Sequence, residues 1–420
     1  MKIAYLSHSP LLTQVANAIH VMQMCAAFAH LGHEVCLYAR GRPGRTDDLF
    51  RAYGLEPARF RIALLPRGPW RFVGRSIYAL MQVVRARVLD KPELYYARCP
   101  ASAAFALLFG DVVLEIHELP RSRLERGLQR LTLKHPRLKR VVTISRALLD
   151  DLERAHRGLL DRVDCVVAPD GATLRPEATP FRLRRGPGRQ IGYAGGLRPG
   201  NGICTIIALA EALPRDTFHV LGGAEDEVAA WRARQRSSNI VWYGHRDPAC
   251  VPAFLESCDV LLAPYETGPK TVSGQDTSRW MSPLKIFEYM AAGRAMIVSD
   301  YPVLREVLEE DFAELVPPGD IGAWLDALRR LEQPTARARL GERARAVLAE
   351  RYTWIARAAS VLAGLAEASP AAVTERAAST AAAPHAPEAA GSPPAWRATC
   401  TEASASEHGS VAVALAEGEK

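Results

Sequence analysis

Several patterns that mark membrane, secreted or metal-binding proteins are missing from this chain of 420 residues. It has no run of about 18 uncharged apolar residues, so no transmembrane helix is expected. The opening residues, MKIAYLSHSP, lack the pattern of a signal peptide, and we therefore expect a cytoplasmic protein. The eight cysteines form no C-x-x-C pair and show no zinc spacing, so no metal site is expected.

Motifs for dinucleotides and nucleic acids are missing as well. No G-x-G-x-x-G occurs in the first strand–loop–helix unit, which disfavours an NAD-dependent enzyme. No nucleic-acid-binding module is recognisable, so we expect no nucleic-acid partner.

Charge is unevenly distributed along the chain, whose net charge is +7. Residues 367–420 hold seven Glu against two Arg and one Lys, a net charge of −4, which leaves +11 on the rest. Such a basic body suits phosphate groups or an anionic membrane surface. The tail is rich in Ala, Ser, Thr, Pro and Glu and has almost no aromatic residues, so we predict that it is disordered.

Short apolar runs alternate with helical patterns in two successive series, which is typical of α/β domains with parallel sheets. A stretch rich in Pro, Arg and Gly, residues 172–189, separates the series. We therefore predict two Rossmann-like domains, residues 1–171 and 190–350, followed by a last helix at 351–366. The cleft between two such domains is the usual ligand site.

The most informative stretch is Ser282–Asp300, which reads SPLKIFEYMAAGRAMIVSD. Ser282 is a good N-cap and Pro283 suits the first helical position. Gly293 is a typical residue for a helix end, and Ala295–Ser299 has the composition of a buried strand. The pattern predicts a capped helix followed by a strand.

The faces of this helix differ. Apolar residues at helical spacing form one face, which we expect to be buried: Ile286, Phe287, Met290 and Ala291. Lys285 and Glu288 are three apart and share the other side. The free N–H groups of Leu284 and Lys285, the helix dipole and the ammonium suit a phosphate, while Glu288 could accept from ribose hydroxyls. An ordinary surface helix with a solvated Lys–Glu pair is the alternative.

The segment Glu288–Gly293 resembles the second half of the donor motif of retaining family-four glycosyltransferases, which belong to glycosyl transferases group 1. The preceding Ser282–Lys285, Ser-Pro-Leu-Lys, is similar to one subgroup of that family. The family's first glutamate is replaced by Trp280 and its usual proline by Ala295. The resemblance covers residues 1–365. It implies the GT-B fold, in which two Rossmann-like domains face each other across a cleft and the last helix packs on the N-terminal domain.

The same resemblance suggests site residues in the first domain. Asp111–Ile116 reads as a strand that delivers His117 to the carboxyl edge of the sheet, where ligands bind. The run Glu115–Glu118 resembles the family's histidine segment, which faces the donor sugar. Asn17 lies roughly where the family often has a Gly-Gly pair and is a candidate for donor contact. In the alternative, His117 caps a helix and Asn17 has no role.

Family members often bind the diphosphate with an Arg and a Lys in a segment like G-R-L-x-x-x-K-G. In the matching stretch, Gly195–Gly202, Gly196 replaces the Arg and Asn201 replaces the Lys. The resemblance therefore predicts other cations near the leaving group. Lys285 is the first candidate for the main charge and Arg198 the second.

The resemblance implies a hexose-type transfer from a nucleoside diphosphate sugar to a glycan, a lipid-linked group or another acceptor, with retention. No Asp-x-Asp is present, so we expect a metal-independent reaction with no cofactor beyond the donor substrate. Two alternatives stay open: a nucleotide-sugar 2-epimerase, and a non-catalytic partner of another transferase.

Two basic stretches, residues 66–91 and 121–140, mix arginines with apolar residues at near-helical spacing. They predict a peripheral contact with an anionic membrane, where a lipid-linked acceptor would lie. An ordinary surface helix is the alternative reading.

Overall fold

The computed structural model describes residues 1–11, 16–41, 46–56, 59–66, 74–120, 122–174, 181–266 and 278–365. The predicted disordered tail, residues 367–420, lies outside this part of the chain. No helix within the described ranges is long and apolar enough to cross a membrane.

The first half of the chain forms a seven-stranded parallel sheet with helices between the strands. Its strand order is β3-β2-β1-β4-β5-β6-β7. The elements are β1 (Lys2–Pro10), α1 (Ala16–His30), β2 (Glu34–Arg40), α2 (Asp47–Ala52), β3 (Arg61–Leu65), α3 (Gly74–Leu89), β4 (Leu94–Ala97), α4 (Pro100–Ala106), β5 (Asp111–Ile116), α5 (Arg123–Leu133), β6 (Leu138–Thr143), α6 (Arg146–Ala155) and β7 (Asp164–Val167).

The second half forms a six-stranded parallel sheet in the order β10-β9-β8-β11-β12-β13. The elements are β8 (Gln190–Ala194), α7 (Ile203–Ala212), β9 (Thr217–Leu221), α8 (Glu225–Arg232), β10 (Ile240–Gly244), α9 (Val251–Glu256), β11 (Val260–Ala263), α10 (Leu284–Ala292), β12 (Ala295–Ser299), β13 (Glu314–Val316), α11 (Ile321–Arg330), α12 (Pro334–Arg351) and α13 (Trp354–Leu362).

The α/β class and the two Rossmann-like units are confirmed. The central strands are apolar and buried on both faces because helices cover each side of a parallel sheet. In each sheet the first strand lies next to the point where the strand order reverses. Ligands of open α/β sheets bind at the carboxyl ends of the strands at this point.

The last helix returns to the first half. Trp354, Ala358 and Val361 of α13 belong to the apolar core that α1 and β1 form. The two chain segments that connect the halves run side by side, since Ala172 pairs with Thr353 as an isolated bridge. A Cβ on Gly171 would lie 2.5 Å from the Tyr352 carbonyl oxygen, so this crossing requires glycine. α13 therefore packs against the helix and strand that open the chain.

The predicted N-cap of α10 is wrong. The helix begins at Leu284, and Pro283 holds the cap position in an extended conformation without a side-chain capping bond. Ser282 cannot cap the helix because its hydroxyl accepts the backbone N–H of Asp170 at 2.8 Å, which ties the start of α10 to the first half. The predicted end is correct, since Gly293 adopts the left-handed conformation there.

Candidate functional site

The glycine-rich loop after β8 is stabilised by two side chains that meet one carbonyl group. The hydroxyl of Tyr193 donates to the Gly196 oxygen at 2.7 Å, and the Asn201 amide donates to the same oxygen at 2.9 Å. Asn201, which stands where the family has a lysine, therefore supports the loop backbone. The side chain of Arg198 is exposed, and no hydrogen bond or ion pair of it is found in the described part of the chain.

Lys285 lies against this loop although it is 92 residues from Tyr193 in the sequence. Its Nζ donates to the Tyr193 hydroxyl at 3.1 Å and is 4.2 Å and 5.0 Å from the ring centroids of Tyr193 and Tyr265. A Cβ on Gly195, whose φ is +149°, would come within 2.9 Å of that Nζ. The glycine leaves room for the ammonium at the place where the resemblance expects a cation.

Burial lowers the pKa of Lys285 to about 7, although the nearby Glu288 carboxylate opposes the shift. A lysine in this state is partly neutral at neutral pH, and a nearby anion would restore its full charge. The ring faces of two tyrosines hold the ammonium by cation–π attraction without neutralising it.

Leu284 and Glu288 point to a different side of α10 from Lys285. Together with residues of α9 they line a cavity of about 70 Å³ that also touches Gln23 of α1 and Trp354 of α13. The predicted shared polar face is therefore split: Lys285 meets the glycine-rich loop, and Glu288 meets the space between the two sheets. Both still lie within electrostatic range of each other.

His117 follows β5, as predicted, and belongs to a buried charged cluster around Glu115. Glu115 Oε1 lies 2.5 Å from His117 Nε2, 2.7 Å from His20 Nε2 and 3.2 Å from Arg357 Nη2. His20 also contacts Asp170 through Nδ1, at 2.6 Å. His117 is the partly open member, with 27% of its side chain exposed, and its ring stands edge-on to that of His20.

The cluster lowers the pKa values of both Glu115 and His117, which leaves the carboxyl group charged and the imidazole uncharged. Burial alone would raise the pKa of Glu115, but the charge of Arg357 and the contacts with the two imidazoles outweigh it and hold that pKa well below the usual range. Burial and the positive charge of Arg98 lower the pKa of His117 to about 4. At neutral pH, Glu115 is therefore ionised and His117 is neutral.

Asn17 lies at the surface beside this cluster. The backbone carbonyl oxygen of Asn17 accepts from Arg98 Nη1 at 3.2 Å. The other terminal nitrogen of that guanidinium, Nη2, lies 2.7 Å from His117 Nε2. Asn17 and His117 are thus neighbours through one guanidinium. The structure brings together two groups of predicted residues: Asn17 with His117, and Lys285 with Gly196.

Three ligating side chains, His20, Glu115 and His117, come close enough to be considered for a metal ion. Their contacts are direct, at 2.5 and 2.7 Å, whereas a tetrahedral ion with bonds of about 2.0–2.1 Å would hold its ligand atoms further apart. The guanidinium of Arg357 also occupies the same carboxylate oxygen. These residues fit an internal ion-pair network better than a metal centre.

Sequence reasoning missed most of this network. Three of its members lie in separate parts of the chain and share no motif: Arg98, Asp170 and Arg357. No local sequence pattern could therefore predict that they meet. His20 lies three residues after Asn17 on the first helix, where a single histidine gives no indication of its buried carboxylate partners. Tyr193 could have been suspected, because it is a polar aromatic residue at the end of a strand that leads into a glycine-rich loop.

Two family models match the chain. The model for Glycosyltransferase Family 4 matches residues 18–174, and the model for Glycosyl transferases group 1 matches residues 188–333. Together they cover the two sheets described above.

Curated relatives are distant. A phosphatidyl-myo-inositol mannosyltransferase of Mycolicibacterium smegmatis is 24% identical over 358 residues, which are 82% of this chain and 88% of that protein. A teichuronic acid biosynthesis glycosyltransferase of Bacillus subtilis is 29% identical over 113 residues. That second match spans 27% of each chain, so it compares only about a quarter of either protein.

Solved structures share the fold at low identity. Sucrose-phosphate synthase from Thermosynechococcus elongatus superimposes with a TM-score of 0.64 at 17% identity and covers 85% of this chain and 96% of that one. Anabaena HepE in complex with UDP and glucose gives 0.63 at 15% identity, covering 87% of this chain and 99% of that one. These likenesses confirm the predicted GT-B fold.

Proposed function

We propose that this chain, a glycosyltransferase of the GT-B type, moves a sugar from a nucleoside diphosphate sugar to an acceptor hydroxyl, with retention and without a metal ion. The observation that carries this proposal is the position of Lys285. Its ammonium lies at the glycine-rich loop, and the residue itself belongs to the first turn of α10, where backbone N–H groups favour anions.

The chemistry explains why this position matters. When the bond between the sugar carbon and the diphosphate oxygen breaks, the electron pair stays on the diphosphate. The acceptor oxygen bonds to the same carbon and loses its proton. A preorganised cation near the leaving oxygen stabilises the transition state more than the ground state. Lys285 is the cation that supplies this charge, and Arg198 assists from the loop surface.

Glu288 and His117 bind the rest of the donor. Glu288 lines the cavity between the sheets, where its carboxylate accepts from the ribose hydroxyls. His117 is neutral and partly exposed, so its imidazole can exchange a hydrogen bond with a sugar hydroxyl. Ser282 and the first amides of α10 complete the diphosphate site. Asn17 contacts the donor from the N-terminal end of α1.

A metal ion is not required for this arrangement. The role that a divalent ion plays at a diphosphate is charge compensation. Lys285 and the helix N-terminus offer that compensation through groups already in place. The retained configuration at the sugar carbon rests on the family resemblance.

The acceptor is lipid-linked or lies near a membrane, because the first half presents a suitable surface. Apolar side chains of α3 stand exposed at helical spacing: Ile77, Leu80, Met81, Val84 and Val88. α4 packs against both α3 and α5, and α5 carries exposed Leu124 and Leu131 among arginines. An exposed apolar stripe flanked by cations fits an anionic lipid surface. The mannosyltransferase named above also carries a lipid in its name.

Vesicle sedimentation tests the membrane contact. We expect binding to vesicles that contain anionic lipid, weaker binding to neutral vesicles, and loss of binding in Val88→Asp. Ile355→Asp is the matched control, since Ile355 is an exposed apolar residue of α13 outside the stripe. Equal binding of both variants would remove the α3 surface from the proposal.

The donor is identified by a thermal-shift screen against UDP, GDP, dTDP and their sugars, because a bound nucleotide stabilises the protein by mass action. A transfer assay with the stabilising donor then follows. Release of an epimerised sugar without an acceptor would favour the 2-epimerase. Binding without transfer to any lipid or glycan acceptor would favour a non-catalytic partner.

A further inference from the structure

The guanidinium of Arg357 is buried in α13 and is held by four acceptors from three parts of the first half. Nη2 donates to Glu115 Oε1 at 3.2 Å and to the Ala168 carbonyl at 3.0 Å. Nε donates to the Pro169 carbonyl at 2.9 Å, and Nη1 lies 3.2 Å from the sulfur of Met24. The side chain is only 2% exposed, so its orientation is fixed by these contacts.

Arg357 is the strongest of the groups that keep Glu115 ionised, and the Tyr96 hydroxyl donates to the other oxygen of the same carboxylate. The carboxylate is completely buried, and an isolated buried carboxylate would become protonated. Arg98 is a second arginine nearby, but its Nε lies 3.8 Å from Glu115 Oε1. Arg357 is therefore the permanent cation within hydrogen-bond distance of Glu115 in the described part of the chain.

The ionised carboxylate decides how His117 is protonated. His117 Nε2 lies between Glu115 Oε1, which can only accept, and Arg98 Nη2, which can only donate. One nitrogen cannot serve both partners at once. With Glu115 ionised, the proton sits on Nε2 and donates to the carboxylate, which leaves the lone pair of Nδ1 for another donor. Without that negative charge, Nε2 accepts from Arg98 and the proton moves to Nδ1.

We propose that Arg357 is a positioning residue for sugar transfer: through Glu115 it fixes the tautomer of His117, so that Nδ1 is ready to accept from a sugar hydroxyl. The last helix thereby contributes to the active site although it follows the second domain in the sequence. This inference rests on the role proposed above for His117. Its test includes one measurement, the tautomer of His117, that requires neither the sugar donor nor the sugar acceptor.

Arg140 provides a matched control. It is also a buried arginine that docks α13, because Nη1 donates to the Val361 carbonyl at 2.6 Å and Nη2 to the Ala363 carbonyl at 2.8 Å. Its carboxylate partner is Asp164 rather than Glu115. Arg140→Met should loosen the docking of α13 without changing the charge next to His117.

The experiment compares Arg357→Met, Arg357→Lys and Arg140→Met. Nitrogen-15 NMR of the histidine rings reports the tautomer. The signals of His117 are assigned as those that disappear from the spectrum of His117→Gln. We expect Nε2–H in the wild type, Arg357→Lys and Arg140→Met, and Nδ1–H in Arg357→Met. Turnover should fall about tenfold to hundredfold in Arg357→Met, in line with the loss of a charged hydrogen bond, and be largely rescued by lysine. Nucleotide affinity should stay within about twofold of the wild type.

Two results would overturn the inference: an unchanged His117 tautomer in Arg357→Met, or an equal loss of turnover in Arg140→Met. If Arg357→Met does not fold, Arg357→Gln takes its place, because its amide can still donate to the two carbonyl groups. If the wild type transfers no sugar, the proposed function fails, but the tautomer result still decides whether Arg357 controls His117.

Discussion

The two halves of the molecule share one sheet topology but handle charge at their active edges in different ways. In the first half, the charges of Glu115 and Asp170 are balanced by two arginines inside the fold, and two histidines contact the same carboxylates. In the second half, Lys285 is held by two tyrosine rings and a hydroxyl group. One site is neutralised by the protein, whereas the other has a cation that burial keeps partly uncharged.

This difference suggests how the work is divided. A self-neutralised cluster is rigid and suits the orientation of a reacting sugar, because its contacts exist before any ligand arrives. A cation without an anionic hydrogen-bond partner gains most when a diphosphate binds. Substitutions in the second half should therefore weaken nucleotide binding, and those at or beside Lys285 should lower turnover as well. Substitutions around Glu115 should lower turnover and leave nucleotide binding unchanged.

The largest effect is expected for Lys285→Ala. Turnover should fall by about 10²-fold or more, because one preorganised charge at the leaving group is lost. Steady-state kinetics with the identified donor and acceptor measure it. Arg198→Ala should cost less, since Arg198 is exposed on the loop surface. Full turnover in Lys285→Ala would contradict the comparison between the halves, because Lys285 would then not supply the catalytic charge of the second half.

His117→Ala should lower kcat about tenfold to hundredfold through the lost hydrogen bond to the sugar. Nucleotide affinity, measured by calorimetry with the free nucleotide, should not change, because the first half does not hold the diphosphate. A parallel loss of nucleotide affinity would show that the two halves do not divide the work in this way.

Glu288→Ala should weaken donor binding by about 1.5–3 kcal/mol, which is about tenfold to hundredfold in affinity, because a charged hydrogen bond to the ribose is lost. Titration calorimetry with the nucleotide measures this loss. Glu256→Ala is the control, since Glu256 lines the same cavity from α9. Similar losses in both variants would mean that only the charge of the cavity matters.

Tyr193→Phe should give a smaller loss of turnover, several-fold, which corresponds to one hydrogen bond of about 1 kcal/mol. The ring remains, but Lys285 and Gly196 lose their common hydroxyl partner. Tyr265→Phe is the matched control, because the Tyr265 hydroxyl has no hydrogen-bond partner in the described structure. Initial rates with saturating acceptor compare the two, and equal rates would argue against the hydroxyl as a support for Lys285.

Local patterns were sufficient to predict much of the fold and the second-half site. The alternation of strands and helices gave the two parallel sheets, and the helix Leu284–Ala292 with Gly293 at its end was recognisable from spacing and residue type. Lys285 and Glu288 lie three residues apart on that one helix, so their proximity could be predicted from the sequence. Their separation onto two sides of α10 depends on which strands and helices pack there, which spacing cannot show.

The first-half cluster could not be predicted because it is built from long-range contacts. Arg357 and Glu115 are 242 residues apart, and Asp170 and His20 are 150 apart. Tertiary packing selects these partners after the sheet has formed. The prediction of Ser282 as the N-cap of α10 was wrong for the same reason. Its hydroxyl accepts from the backbone N–H of Asp170, which is 112 residues away.

Proton uptake on nucleotide binding tests the central claim, which is that Lys285 supplies the charge for the diphosphate. The free lysine has a pKa of about 7, and a bound diphosphate should raise it, so affinity should fall as pH rises above 7. At pH 8 the nucleotide phosphates are fully ionised, since the second pKa of a phosphate is about 6. Calorimetry in two buffers of different ionisation enthalpy should show the wild type taking up close to one proton, and Lys285→Met close to none. Equal uptake by both proteins would contradict the account.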